Sequence, residues 1–300
     1  SAAFEQEAVR DSCVCAISAA MVDGTGLRHF ANEHPERVFD VGIAEGHAVG
    51  MASGLALGGQ KPVVALYSTF LQRAIDQVII NVALSNLDVV FAIDRAGLVG
   101  DDGPTHHGMF DMALLRSVPN MKILAPSNEA ELVHALHTAL MISGPVALRY
   151  PRGAAQGVPL PQDALYMKPG CARVIRDGSD AAILAFGRMV SYALGAAEIL
   201  SEEGISVRVV DMRWVKPLDV DAIKDAAATG VVLTVEDGIA IGGAGEGVME
   251  VLQSAGLNPK SKVLGIPDIF VEQGSVDQLF ADLGLDAQGI ATAIRELVRS

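Results

Sequence analysis

Charge is scarce in this 300-residue sequence, and positive charge scarcer. Only 19% of residues are Asp, Glu, Lys or Arg, and 22 Lys plus Arg stand against 36 Asp plus Glu, a net charge of −14. An ordinary soluble domain carries about 25% charged residues. An acidic chain repels nucleic acid and anionic membrane surfaces at long range, so neither is an expected partner. A phosphorylated ligand would have to be held by individually placed Arg or Lys. Cysteine is also rare. Cys13, Cys15 and Cys171 make an odd count, and the first two, read on a helical pattern, would not face each other. A disulfide framework is excluded and a reduced, cytosolic protein is expected. The N-terminal residues lack the basic segment and apolar core of a signal peptide. The longest uncharged stretch, Leu132 to Leu148, is broken by His134, His137, Gly144 and Pro145, so no membrane span is expected. There is no fixed-period repeat and no low-complexity tract.

What is abundant is apolar residue, at 50% of the chain, which excludes disorder and allows for about two buried cores. So apolar a chain either buries parallel sheets on both faces or covers surface with a partner, and an oligomer is expected. Short apolar runs read as strands at Val38 to Ile43, Val63 to Tyr67, Val89 to Ile93, Lys122 to Ala125 and Val146 to Tyr150. A second series runs through Ala181 to Phe186, Ser206 to Asp211, Val231 to Glu236 and Ser261 to Gly265. Helical patterns lie between them, including Ser191 to Glu203, Gly243 to Ala255 and Ala287 to Arg299. The alternation predicts an α/β protein of two consecutive domains, 1–153 and 171–300, each a mostly parallel sheet covered by helices on both faces. Residues 154–170, rich in Gly, Pro, Ala and Gln, read as a linker.

Several motifs carry chemistry. IGGAGEGV, Ile241 to Val248, invites a dinucleotide reading, but the G-x-G-x-x-G spacing from Gly243 requires glycine where Val248 stands. It reads instead as a tight strand-to-helix turn with close packing. His106 and His107 in DDGPTHHG sit beside Asp101 and Asp102. Adjacent histidines do not both reach one ion, and ligands at zinc-like spacing are absent, so no metal site is expected. Asp102 and His106 can instead form a hydrogen-bonded pair at the mouth of a site, because the loop follows a strand and open parallel sheets bind ligands at that edge. Glu45 lies in the first turn of a helix, where the dipole favours a carboxylate, and a capping role is the plainer reading. Arg95 and Arg152 each follow a strand end, a place suited to a phosphate, although single arginines are mostly solvated or paired.

Together these stretches resemble the second half of the 1-deoxy-D-xylulose 5-phosphate synthase family, thiamine diphosphate enzymes of the transketolase superfamily. The resemblance rests on FDVGIAEGHAV, PVVALYSTFLQRAIDQVIINVAL, FAIDRAGLVGDDGPTHHGMFDMALLRSVPNM, LAPSNEAEL and RYPRG. CAISAAM, VVDMRWVKPLD and TVEDGIAIGGAGEGV extend it over nearly the whole chain. It implies a pyrimidine-binding domain of thiamine-diphosphate fold followed by a transketolase C-terminal domain, working in isoprenoid and thiamine biosynthesis.

The resemblance also implies roles. Glu45 takes the position of the glutamate that hydrogen-bonds N1′ of the aminopyrimidine, so that the 4′-amino group can become an imine and take the proton from C2 of the thiazolium. Tyr67 and Phe70 match the aromatic residues holding the pyrimidine, with Arg73 nearby. Arg95 and Arg152 match the arginines that hold the phosphate of glyceraldehyde 3-phosphate, which condenses with pyruvate as carbon dioxide leaves. Asp102 and His106 match residues lining the approach to the thiazolium. Two departures stand out. Family members usually read AEQHAVT where this chain has AEGHAVG, so Gly46 and Gly50 are expected to loosen the helix carrying Glu45. The Gly-Asp-Gly motif that binds Mg²⁺ and the diphosphate occurs nowhere in the chain. Mg²⁺ is therefore expected on an absent domain, and the chain reads as a small subunit of a split enzyme or a portion of a longer one, inactive without a diphosphate-binding domain. A homodimer is expected. The alternatives are the small subunit of a split transketolase, acting on a ketose phosphate, and a noncatalytic homologue; an oxo-acid dehydrogenase β-subunit fits less well, having no need of the two arginines.

Overall fold

The computed structural model of the protein describes residues 1–300. Twelve strands form two sheets. In the first half they are β1 (Val14–Ser18), β2 (Val38–Asp40), β3 (Lys61–Tyr67), β4 (Val90–Asp94), β5 (Lys122–Leu124) and β6 (Val146–Arg149). In the second half they are β7 (Arg173–Arg176), β8 (Ala181–Ala185), β9 (Val207–Asp211), β10 (Trp214–Lys216), β11 (Val231–Ile239) and β12 (Lys260–Ile266). The seven-stranded sheet runs β10-β5-β6-β4-β3-β1-β2 and the five-stranded one β12-β11-β8-β9-β7. All pairings are parallel except those of β10 with β5 and of β7 with β9.

The two-domain α/β layout is as the sequence predicts, with three strands added. β1 overturns the helical reading of Cys13 and Cys15, because Cys15 lies in a fully buried strand between β2 and β3. A five-residue run buried on both faces has no alternation to reveal it. β7 is half exposed and bears an arginine at each end, the dress of an edge strand. β10 comes from the second half of the chain yet extends the first sheet, covering the edge of β5 and burying Trp214 among first-sheet side chains. The expected strand at Val38 to Ile43 stops at Asp40, whose carboxylate accepts the backbone N–H of Gly42 and of Ala20.

Between β6 and β7 the chain forms no helix or strand. It is nevertheless held: Glu129 accepts the N–H groups of Gln156 and Val158, His134 that of Leu165, and Thr138 that of Met167. All three acceptors lie on the helix Glu129–Met141, which Asn128 caps by accepting the Glu131 N–H at 3.0 Å. One apolar core continues across both sheets, joining Phe91 and Ile123 of the first to Leu184, Phe186 and Val232 of the second.

The glycines of IGGAGEGV serve a buried acid. Glu236, on β11 and 1% exposed, points its carboxylate at the start of the helix Ala244–Ser254 and accepts the N–H groups of Ala244 at 2.9 Å and Gly245 at 2.8 Å. A Cβ on Gly243 would stand 2.5 Å from that carboxylate. The helix terminus that holds a phosphate in dinucleotide folds here holds a side chain from its own sheet. Burial raises the Glu236 carboxyl to about 7, against the opposing pull of the two N–H groups. The folded state thus keeps a proton that the unfolded chain releases near 4.5, and stability falls as pH rises between these values. Each pH unit in that window is expected to remove up to about 1.4 kcal/mol. Denaturant midpoints taken across the window should show Glu236→Gln with a flatter pH slope than the parent; equal slopes would refute the assignment.

Candidate active-site cluster

Parallel strands end together, so loops following β3 and β4 and the start of the helix after β2 converge at one edge. Glu45 is the first residue of the helix Glu45–Leu57, where its charge meets the positive end of the helix dipole. It is 5% exposed, and its Oε1 accepts a hydrogen bond from Arg73 Nη1 at 2.7 Å. No group of the chain donates to Oε2. Gly46 and Gly50 do not break the helix. Gly46 instead makes room for the Gln77 side chain, which a Cβ there would meet at 3.0 Å.

From Arg73 the contacts run on without a gap. The Arg73 guanidinium lies 5.2 Å from the centre of the Phe70 ring. Phe70 stacks on Tyr67 with ring centres 5.6 Å apart and meets His106 edge-on at 5.7 Å. The Arg95 guanidinium lies 4.1 Å from the centre of the Tyr67 ring. Arg95 Nη1 and Arg152 Nη1 then both donate to Asp102 Oδ2, at 2.9 and 2.6 Å. All eight side chains singled out from the sequence therefore belong to one connected cluster.

The cluster has two chemically distinct ends. At one, a buried carboxylate with a free oxygen stands near the partly exposed Phe70 ring, backed by the buried Tyr67, which suits a flat heterocycle bearing a hydrogen-bond donor. At the other, two guanidinium groups converge within reach of a single anion. Burial raises the pKa of Tyr67, so its hydroxyl stays protonated and can donate. Burial likewise raises that of Asp94, which sits behind Arg95 and accepts the Arg95 N–H at 2.6 Å. That contact holds Arg95 at a φ of +56°, a left-handed turn that swings its side chain back over Tyr67.

The expected hydrogen-bonded pair of Asp102 and His106 is not formed. Two guanidinium groups take the carboxylate in charge-assisted bonds. His106 Nδ1 bonds Thr105 Oγ1 at 2.9 Å instead. His106 and His107 point apart, the first toward Phe70 and the second into the protein. No group of three or more His, Cys, Asp or Glu side chains is gathered as a metal ion would require. No helix is long and apolar enough to cross a membrane.

Two groups, Arg149 and Arg188, go unmarked in the sequence, and His107 stands there only as a candidate metal ligand. Arg149 in RYPRG is 3% exposed and bonds Asp111 and Asp237. Arg188, from the second domain, donates to the Arg152 carbonyl at 3.1 Å. His107 bridges the two domains. For Arg149 a signal existed: a charged residue inside an apolar run, VALRY, has to find buried partners.

Residues 1–157 match the family described as the transketolase pyrimidine binding domain, and residues 170–290 that described as the transketolase C-terminal domain. The 1-deoxy-D-xylulose-5-phosphate synthase of Syntrophotalea carbinolica is 53% identical over 97% of this chain and 46% of its own length. Synthase 1 of Geobacter sulfurreducens is 55% identical over 93% of this chain and 44% of its own length. The chain thus spans about half the length of the curated relatives it matches. Among solved structures, a chain described as a split gene transketolase, inactive beta4 tetramer, is similar with a TM-score of 0.89 and 32% identity, covering 99% of this chain and 96% of that one.

Because Asp102 occupies both guanidinium groups, it competes with any anion bound there. Asp102→Asn is expected to tighten the binding of inorganic phosphate by up to about fivefold, the worth of an exposed ion pair near 1 kcal/mol, and Arg152→Ala to weaken it. Titration calorimetry at low salt reads both; unchanged affinity in both variants would remove the anion site.

Proposed function

The chain belongs to the transketolase family, whose pyrimidine-binding and C-terminal domains it carries, and from that premise we propose that it is the corresponding portion of a 1-deoxy-D-xylulose 5-phosphate synthase. The reaction is the condensation of pyruvate with glyceraldehyde 3-phosphate, releasing carbon dioxide. The observation that carries this reading is the unbroken cluster from Glu45 to Arg152, with a heterocycle-binding end and a phosphate-binding end on one sheet edge. The synthase names of relatives at 50% identity or more support it.

The cluster fits the pyrimidine half of thiamine diphosphate. Glu45, buried and with one oxygen free, would share a proton with a ring nitrogen, which lets the amine opposite it lose a proton and serve, as the imine, as the base. Phe70, backed by Tyr67, offers the apolar face for that ring. When bound, the cofactor supplies the electron sink that stabilises a carbanion after loss of carbon dioxide. Arg95 and Arg152 fix the phosphate of the aldehyde substrate, which sets the distance of its carbonyl from the reacting carbon. His106, whose ring stands beside Phe70, is placed to pass a proton to the oxygen that develops on the aldehyde.

Nothing in this chain supplies the Gly-Asp-Gly segment, so turnover requires a diphosphate-binding domain, which is also where Mg²⁺ belongs. A homodimer about that domain is part of the reading, as are the division into residues 1–153 and 171–300 and a cytoplasmic location. The likeness to a split-gene transketolase described as inactive favours a second form of the proposal, in which the chain is a separate subunit that acts on joining a partner.

Joining the chain to the remaining half of the Syntrophotalea carbinolica synthase tests the whole reading. Carbon dioxide should be released from pyruvate in the presence of glyceraldehyde 3-phosphate. Transfer from a ketose phosphate without gas release would give the chain to transketolase instead. In the active assembly, Glu45→Gln is expected to lower kcat by at least about 100-fold, the scale of one proton-transfer role. Unchanged activity in that variant would point to a noncatalytic homologue. Arg152→Ala should raise KM for glyceraldehyde 3-phosphate by about tenfold or more, the loss of one charge-assisted hydrogen bond, and leave KM for pyruvate within about twofold. Equal effects on both substrates would overturn the phosphate role.

A further inference from the structure

The loop that carries Asp102 and His106 is closed at its base by reciprocal backbone hydrogen bonds between Gly97 and Gly108, at 2.7 and 2.8 Å. Much of what holds it beyond that point comes from the other domain. Leu98 and Met109, at either side of the base, are buried in the core of the second sheet, with Ile183, Val235 and Phe280. The Met109 carbonyl accepts the Ile239 N–H of β11 at 2.8 Å. Gly100, at a φ of +86°, lies against the segment that precedes the helix Val276–Asp282; a Cβ there would stand 3.2 Å from the Gly274 carbonyl oxygen.

His107 sits at the centre of this contact and is 1% exposed. Its Nδ1 accepts the buried Val99 N–H at 3.1 Å. An accepting Nδ1 carries no proton, so the neutral ring has its proton on Nε2, which faces the Glu272 carbonyl oxygen at 3.2 Å and donates to it. Burial lowers the pKa of the ring and so favours this neutral tautomer. Both nitrogens are used, one within the loop and one across the domain boundary.

We propose that His107 is a positioning residue whose ring ties the Val99 N–H to the Glu272 carbonyl, so that the second domain sets where Asp102 and His106 stand. The consequence for substrate rests on the phosphate-binding reading of the cluster; the bridge itself does not. A glutamine amide, with an acceptor oxygen and a donor nitrogen, reproduces the chemistry of the bridge, whereas leucine keeps the bulk and loses both bonds.

Hydrogen exchange by mass spectrometry on the full chain, with glycerol 3-phosphate titrated by calorimetry, tests this in the parent, His107→Leu and His107→Gln. In His107→Leu, amide exchange should rise at least about tenfold in both 99–107 and 271–275, with the helix Ala287–Arg299 unchanged, as local opening requires. Affinity for glycerol 3-phosphate should fall about fivefold, and His107→Gln should return exchange and affinity to within about twofold of the parent. A rise in one segment alone, a uniform rise along the chain, or no rescue by glutamine would overturn the proposal. Should His107→Leu not fold, His107→Asn, whose shorter amide does not span both partners, is expected to give the same paired rise, and its absence refutes the bridge. If the parent binds no glycerol 3-phosphate while the paired exchange response and its rescue by glutamine appear, the bridge stands and the phosphate reading falls.

Discussion

Arg149 is the residue on which the arrangement of this protein turns. It ends β6, is 3% exposed, and carries a charge that burial alone would make costly. Asp111 takes its Nε at 2.7 Å and Asp237 its Nη1 at 2.5 Å. Asp111 opens the helix that follows the loop bearing Asp102 and His106, and Asp237 lies on β11 of the second sheet. A single guanidinium thus fixes three bodies: the edge of the first sheet, the far end of the loop bearing Asp102 and His106, and the second domain. The planar fork of arginine suits this because it presents donors in two directions at fixed angles, which a lysine does not. Arg152 follows only three residues later, so its backbone inherits that placement, and Arg188 holds its carbonyl from the other side.

The candidate site depends on this frame because its own contacts are individually weak. Stacked rings, guanidinium groups over rings and half-exposed ion pairs are each worth about 1 kcal/mol or less. Such contacts select among conformations that stiffer parts have already brought close. The stiff parts are the parallel strands ending at one edge, the left-handed turn at Arg95, and the domain contact around His107. The second domain contributes none of the eight clustered side chains, yet it holds the backbone on both sides of Asp102 and Arg152. That gives a physical reason for two domains to travel together in one chain.

Much of this was legible in the sequence, and what was legible shares a property. Strand ends, Gly and Pro punctuation and the residues just beyond them are local features, so Glu45, Arg95, Asp102, His106 and Arg152 could be placed on one edge without knowing the fold in detail. The resemblance then supplied their roles. Features that depend on another part of the chain could not be read in this way. β1 carries no alternation because both its faces are covered, and β10 owes its place to an open edge belonging to a distant strand. The glycines of IGGAGEGV looked like a failed phosphate loop because the group they wrap, the Glu236 carboxyl, comes from the preceding strand. The pairing of Asp102 with His106 failed for a similar reason. Their proximity in sequence is local, but the competition that decides the pairing comes from Arg95 and Arg152.

The two ends of the cluster differ in completeness, and the difference bears on what the chain does alone. At the Arg95 end the donors find a partner within the chain: Asp102 accepts from both arginines, and an anion arriving there displaces that carboxylate. At the Glu45 end the accounts of polar and apolar groups do not close. One carboxylate oxygen lacks a donor, Arg73 is more than half exposed, and the neighbouring Ile43, Ile80 and Leu84 present large apolar side chains to water, with Ile43 81% exposed. Surface of this kind is stable only at a cost unless something covers it. On the proposed reading, the diphosphate-binding domain covers it and the pyrimidine of the cofactor donates to the open oxygen. The half of the site that needs no partner is then the half that recognises the aldehyde, and the half that performs proton transfer is assembled only when both bodies are present.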